Sequence, residues 1–547
     1  MRSAREAAAR GARAAKGLDT RSLIVGACLT LVAASLGYAA RGPGGSTNGS
    51  GTASAGAAGT SGSSGGAGTG TGASGAASGL STGSTDLTGQ AVGGSSSSGG
   101  AFSEGSGGAA PASSAAGGGS GSGGTSGTVA PNTPLTASDQ GITPKTIKLG
   151  FLIANTSNLA AAGFNVGVNG DQGKVITAWF NELNRNGGID GRQLTNYNYT
   201  FDVLDTNDMT AGCKTMTQDQ KVFSVITTGG YDSTAQLCIA KENKTPLIST
   251  DPEPASWYPQ SAPYLWATFM NKDRLFLNQA KWLASSGYVR STDKVGVIYH
   301  DIPNVAPSVT GTLLPALARN GIHPTDVVKL ASDSNQALAQ IQNAVLDMRT
   351  KGVTFVIFDM NLIFKTQFMQ YAQNQQWFPR YTDTDEYFGC EDFVTTTYPP
   401  QAFNGTECLG TTLAGINPQH YPVTAFTKYA DQVYDRTYPQ GYSTNGSSEM
   451  SQQEQQLTNY ELGSEILLWA NAAKRAGPNP TRAQWGLQMG KTGAWSEQVG
   501  YCSASFGPAK WDGSDELSVD QYHAEASGGW QADKFHQLAP GCFKNWF

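Results

Sequence analysis

Glu182-Leu183-Asn184-Arg185-Asn186-Gly187-Gly188-Ile189-Asp190-Gly191-Arg192 joins a helix to a strand, and the fold is read outward from it. Just upstream, Asp171 to Asn184 sets Val175, Ile176, Trp179, Phe180 and Leu183 on one helical face. Asn186-Gly187-Gly188 stops that helix, because glycine takes the left-handed turn at which helices end. Before the helix, Thr146–Ile153 (TIKLGFLI) is an apolar, β-rich run; after it, Tyr199–Leu204 (YTFDVL) reads as a strand. Strand, helix and strand in that order are the unit of a parallel sheet.

The alternation continues with a helix over Thr210–Gln220, a strand over Val222–Thr227, a helix over Ser233–Glu242 and a strand over Pro246–Ser249. It then restarts. Asp273–Ala284, Val309–Asn320 and Ser334–Lys351 read as helices; Lys294–Tyr299, Val327–Leu330 and Val353–Phe358 read as strands. The expected class is therefore α/β with two lobes. Tyr460–Arg475 is an amphipathic helix closed by Gly477-Pro478, too far along for the second lobe, which predicts a return of the chain to the first.

The N-terminal part is of another kind. Arg2, Arg5, Arg10, Arg13, Lys16 and Arg21 precede the uncharged run Leu23–Leu36, and Gly37-Tyr38-Ala39 offers small residues for cleavage. Residues 1–41 thus read as a signal peptide or, left uncut, as a membrane anchor. Cys28 sits too close to Arg21 for a lipidated signal and reads as part of the apolar run. Residues 42–135, almost all Gly, Ser, Ala and Thr, have too little apolar surface to offset the entropy of ordering and read as a disordered linker. A flexible tether of that length reaches roughly 55 Å. The address is extracytoplasmic: cell surface or cell-wall space.

Six of the seven cysteines fall after residue 141: Cys213, Cys238, Cys390, Cys408, Cys502 and Cys542. An even number in an exported chain predicts disulfides, expected here between sequence neighbours. With no C-x-x-C and no adjacent histidine, no metal or other cofactor is expected. The net charge is −6 despite the basic N-terminus, so the folding part is acidic, which argues against nucleic acid as a partner. The histidines, His300, His323, His420, His523 and His536, sit in no hydrolase motif, and residues 141–547 lack both H-E-x-x-H and G-x-S-x-G. The expectation is a binder rather than an enzyme.

In doubly wound sheets ligands meet the carboxyl ends of strands. The loops there supply Asn155, Thr156 and Ser157; Gly230, Tyr231, Asp232, Ser233 and Thr234; and Thr250 and Asp251 in the first lobe. The second lobe supplies His300 and Asp301, Asp359 and Asn361, then Asp383, Asp385, Glu386 and Tyr387. Amide and hydroxyl donors suit a carboxylate, acids suit an ammonium, and aromatics close a cleft. Each also has a plainer reading: Ser233 and Thr234 as helix caps, the acids as solvated loop residues, the tyrosines as lobe packing.

Several segments resemble the type I periplasmic binding proteins, in the branch that binds leucine, isoleucine and valine. Residues 182–192 are similar to that family's E-[IL]-N-x-x-G-G-I-x-G-R stretch, and Ile147-Lys148-Leu149-Gly150 to its first strand. Asp205 with Asn207-Asp208, Pro246-Leu247-Ile248-Ser249, Val295–Asp301, Phe506-Gly507-Pro508 and Trp511–Asp515 resemble its later landmarks in order. The resemblance implies two Rossmann-like lobes joined by three crossovers, with lobe one at 141–268 and 388–508 and lobe two at 269–387 and 509–540. It also implies a monomer that grips a small-molecule ligand, an amino acid, amide or related compound, by hinge closure and delivers it to the permease of an ABC importer. A tethered sensor of the same fold is the alternative. The family's amino-acid head-group site is not reproduced: Gly-Gly-Tyr-Asp and Thr250-Asp251-Pro252 replace its Ser-rich turn and Ala-Thr pair, and Phe364 falls near its acidic residue.

Overall fold

The computed structural model describes residues 133–155, 170–203, 205–231, 233–384, 386, 389, 398–411, 423–442, 449–497, 502–524, 535–537 and 542–544. Contacts divide the chain into Met1–Ser126 and Gly127–Phe547, and every described residue lies in the second unit. The expected signal, and all but residues 133–135 of the expected linker, fall outside the described residues. Among the described residues no helix is long and apolar enough to cross a membrane.

Strand β1 (Thr146–Asn155) pairs in parallel with β2 (Gln193–Asp202) along its whole length and with β3 (Ser224–Thr227) on its other side. β4 (Leu247–Ser249) and β5 (Leu265–Ala267) complete a five-stranded sheet in the order β2-β1-β3-β4-β5. Ile147, Leu149, Phe151 and Leu152 are fully buried because helices cover both faces. One face carries the helices Gln172–Arg185, Ala425–Thr437 and Glu449–Ala476; the other carries Thr206–Lys214 and the helical turns through Glu242.

The opening segment explains much of this packing. Asp171 caps the helix Gln172–Arg185 by accepting from Lys174 N, and the predicted apolar face, Val175 to Leu183, is buried. Trp179 is fully buried, donates to Asn459 Oδ1 at 2.9 Å and stacks on Phe426. Gly463 lets the long helix approach that indole: a Cβ there would lie 2.4 Å from the ring. Gly188 has φ +70°, and a Cβ on it would stand 1.9 Å from the Arg192 carbonyl, so the turn requires glycine. Arg192 is fully buried and donates to the carbonyls of Thr143, Pro478 and Thr136 and to Asn479 Oδ1. Glu182 binds Arg185, Asn186 and Arg436; burial pushes its carboxyl up, the three partners outweigh it, and the net pKa is lowered. The 182–192 segment is therefore a structural tie between elements far apart in sequence.

In the second lobe β6 (Val295–His300), β7 (Asp326–Leu330), β8 (Phe355–Asp359), β9 (Arg380–Thr384) and β10 (Glu407–Gly410) are parallel; after a separate two-stranded ribbon of β11 (Gly493–Trp495) and β12 (Ala504–Phe506), β13 (Glu516–Tyr522) runs antiparallel beside β10. The sheet order is β14-β13-β10-β9-β8-β6-β7, with β14 at Phe535–Gln537 and β15 (Phe543–Lys544) pairing β13 off this path. This corrects the expected lobe boundary. Residues 398–410 were assigned to lobe one, yet β10 is held by β9 and β13, so the return to lobe one comes after Gly410.

The lobes are laced together where the chain crosses. Ala267 bridges Asp512, Asn271 donates to Asp512 through its backbone N and Nδ2 at 2.9 Å each, and Arg274 forms an ion pair with the same carboxylate. Cys213 bonds to Cys238 and Cys502 to Cys542. Cys408 is also disulfide-bonded, and Cys390 lies outside the described residues. Closing a loop of 25 residues at Cys213–Cys238 is worth about 3–4 kcal/mol on the chain-entropy account.

Candidate functional site

Both sheets point the carboxyl ends of their parallel strands toward each other. Val203, just beyond β2, packs against the lobe-one core around Tyr231 and also against the lobe-two core. Two backbone contacts join the edges: Lys272 N donates to the Glu253 carbonyl at 3.0 Å, and Ala255 N donates to Asp273 Oδ2 at 2.7 Å. The loop that leaves β4 past Thr250 and Asp251 is thus tied to the first helix of lobe two, Lys272–Ser285.

The lobe-one edge is shaped by backbone. Gly229 and Gly230 take φ +90° and +73°, and the Asp251 carboxylate accepts Gly230 N at 2.8 Å and Tyr231 N at 3.1 Å. Asp251 therefore positions the loop. Thr250 N donates to Thr227 Oγ1, linking the ends of β3 and β4. Ser233 Oγ accepts from Ala235 N, the helix-opening role, while Thr234 is exposed. Asn155 ends β1 at the same edge. Tyr231 is a correction: its ring is fully buried, lies edge-on to Phe201 at 5.0 Å, and its hydroxyl donates to the Met209 carbonyl, so it packs within lobe one rather than closing a cleft. Thr156, Ser157, Asp232, Asp385 and Tyr387 lie outside the described residues.

The lobe-two edge is shaped by buried charge. Lys272 and Lys365 come from helices on opposite faces of the sheet and meet at the ends of β8 and β9. Lys272 Nζ pairs with Glu386, and Lys365 Nζ with Asp383 at 2.6 Å; these four side chains are at most 3% exposed. Asp359 lies beside them. Its carboxyl is held far above the usual range by burial and then by the charge of Glu386, against the pull of Lys272 and Lys365. Burial pushes Asp383 up to about 6, against the pull of Lys365. His300 is buried and meets Phe364 edge-on at 5.0 Å. Two further expected residues have partners within the lobe. Asn361 caps the helix Leu362–Asn374 by accepting from Ile363 N and Phe364 N, and Asp301 forms a surface pair with Lys329 at 2.8 Å.

Sequence reasoning missed Lys272 and Lys365. The second had a signal: it is the only charge in the apolar run Leu362–Met369, and a lysine inside such a run needs a buried partner. It also missed Glu461 and Glu465 on the helix Glu449–Ala476. Burial pushes Glu461 up to about 8; burial, then the charges of Glu461 and Asp251, raise Glu465. Among the described residues no group of three or more His, Cys, Asp or Glu is arranged to hold a metal ion.

No protein-family model and no curated protein matches the sequence. Solved structures do match. A fatty acid ABC transporter substrate-binding protein from Thermomonospora curvata aligns with TM-score 0.53 at 14% identity over 75% of this chain and 95% of its own. A branched chain amino acid ABC transporter protein from Thermus thermophilus with bound valine gives 0.53 at 12%, over 73% and 97%. A solute binding protein of an ABC transporter from Rhodopseudomonas palustris BisB5 in complex with 3,4-dihydroxy benzoic acid gives 0.51 at 13%, over 73% and 98%. Two sheets built mainly of parallel strands and these alignments together give the described residues the fold of the type I periplasmic binding proteins.

Proposed function

We propose that this protein is an extracytoplasmic solute-binding protein, which captures a small polar molecule between its lobes and releases it unchanged to an ABC-type importer. The observation that carries this reading is the opposition of two carboxyl edges, each with buried ionisable groups and joined through the crossings at Asn271 and Asp512. Such an arrangement surrounds a guest on two sides and lets hinge motion admit it. That structures of the same fold hold valine and 3,4-dihydroxy benzoic acid supports a small solute as the guest. The N-terminal residues 1–41 serve export, cut or retained as an anchor, and the Gly/Ser-rich stretch after them serves as a tether. The protein acts as a monomer with no cofactor.

The test is a thermal-shift screen of the purified full chain against amino acids, amides, sugars and aromatic acids. A ligand at 100 times its Kd stabilises by about 2.7 kcal/mol. Saturable stabilisation by one class, with compaction in small-angle scattering, is expected. Turnover of any bound compound, or no shift with every class, overturns the reading.

A further inference from the structure

The disulfide Cys502–Cys542 joins the lobes by a path that the crossings of the main chain do not take. Cys502 stands two residues before β12, which pairs with β11 and buries Ala504 and Phe506 in the lobe-one core beside Trp495. Phe506 also meets the Trp266 ring edge-on at 6.2 Å. Cys542 stands directly before β15, whose Phe543 and Lys544 pair with Leu517 and Glu516 at the start of β13 in lobe two. Leu517 is fully buried there, packed with Leu409 and Val519. One sulfur therefore belongs to a strand anchored in lobe one, the other to a strand anchored in lobe two.

The bond lies where the lobes meet. Cys502 N donates at 2.9 Å to the carbonyl of Thr411, the residue after β10, and Asp515 N donates at 2.8 Å to the Ser503 carbonyl. Those hydrogen bonds can be exchanged for bonds to water when the lobes part; a disulfide cannot. It keeps the two Cα atoms, 5.6 Å apart here, within roughly 4.4–6.8 Å of each other. Hinge bending is absorbed by φ/ψ changes at a few residues of each crossing. A covalent link outside the crossings takes no part in that bending and limits it. Cys213–Cys238 offers the comparison. It closes a loop of 25 residues against 40, so chain entropy gives the two bonds similar weight in stability. Yet both of its cysteines pack in one core of lobe one, so it braces a single lobe.

Resting on the hinge closure of the solute-binding reading above, we infer that Cys502–Cys542 is a stop on lobe opening, which holds the ligand-free protein to a narrow range of openings. Single-molecule energy transfer on the full chain tests this. Asn198 on lobe one and Leu346 on lobe two are exposed, and an azide-bearing residue at each carries the donor and acceptor dyes. Cys502→Ser with Cys542→Ser is expected to broaden the ligand-free distance distribution at least twofold. Cys213→Ser with Cys238→Ser is expected to lower Tm and leave the distribution as in the parent. If the Cys502→Ser, Cys542→Ser protein does not fold, Cys502→Val with Cys542→Ala, which buries no hydroxyl, takes its place with the same expected broadening. An unchanged distribution without Cys502–Cys542 overturns the inference. So does equal broadening without Cys213–Cys238, the behaviour of a protein that has merely lost stability. Neither result bears on the solute-binding reading, which stands or falls on stabilisation by ligand.

Discussion

The two edges of the cleft solve one problem differently. On lobe one, Asp251 accepts the amides of Gly230 and Tyr231, so its carboxylate fixes the shape of the main chain at the strand ends. On lobe two, Lys272, Lys365, Asp359, Asp383 and Glu386 crowd the strand ends with side-chain charge. Main-chain amides do not titrate; a buried ionic cluster does. Substitutions at the second edge should therefore cost more and depend on pH.

The largest effect is expected from Lys365→Met. It leaves Asp383 buried with its ion-pair partner gone, and breaking such a pair costs about 3–5 kcal/mol. Urea unfolding at pH 8 measures it. The cost should shrink at pH 5, where Asp383 without Lys365 takes up a proton. A loss equal at both pH values would show that Asp383 is not ionised beside Lys365. Asp251→Ala should cost less, about 2–3 kcal/mol, by stranding the Gly230 and Tyr231 amides. Its loss should change less between pH 5 and 8 than that of Lys365→Met, because what it chiefly removes is support for main chain, with a smaller effect on the raised carboxyl of Glu465. A steep pH dependence there would erase the contrast between the edges.

The parent protein should show a pH dependence of its own, with one contribution from each lobe: Asp383 in lobe two and Glu461 on the lobe-one helix Glu449–Ala476. Asp383 is pushed up to about 6 and Glu461 to about 8, both by burial, from ordinary values near 4. A carboxyl whose folded pKa is raised stabilises fully below its unfolded value, and that stability is lost as pH rises through the folded one. Tm should therefore fall from pH 5 to pH 8.5. Glu182 has the opposite sign: its pKa is lowered, so its contribution is present above the unfolded value and is lost only as pH drops below about 4. Glu461→Gln should remove the upper part of the fall. A Tm that stays level or climbs across this window would mean these carboxyls are solvated and the edges closed less tightly than described.

What was legible in the sequence follows the same division. Thr146–Ile153, Lys294–Tyr299 and Val353–Phe358 could be read because strands buried on both faces must be continuous apolar runs, and all three lie within or beside observed strands. β9 could not. Its residues Arg380–Thr384 read RYTDT, yet Thr382, Asp383 and Thr384 are at most 2% exposed, so a central strand is disguised as polar loop by the charge that pairs with Lys365. Six of the ten residues of β2 were missed for a different reason. It is an edge strand whose first residues face water, and Gln193–Asn198 lack the apolar alternation that marks a strand. The loops after β3 and β4 stand at a sheet edge as expected, but residue type alone could not separate Asp251, which holds a loop, from Asp359, which stands in a cluster. That depends on who lies across the gap.

Tyr231 gives the smallest and sharpest test. Its sequence neighbours make it look like an aromatic lid, and its burial makes it a core residue whose main chain alone belongs to the edge. Tyr231→Phe removes one hydroxyl that donates to the Met209 carbonyl and keeps the ring against Phe201. Loss of one such hydrogen bond costs about 1 kcal/mol. The variant should melt slightly lower than the parent, hold the Gly230–Tyr231 turn through Asp251, and bind ligand with unchanged affinity. A loss of affinity larger than the loss of stability would put the phenol in the cleft, and the contrast between a main-chain edge and a side-chain edge would fail.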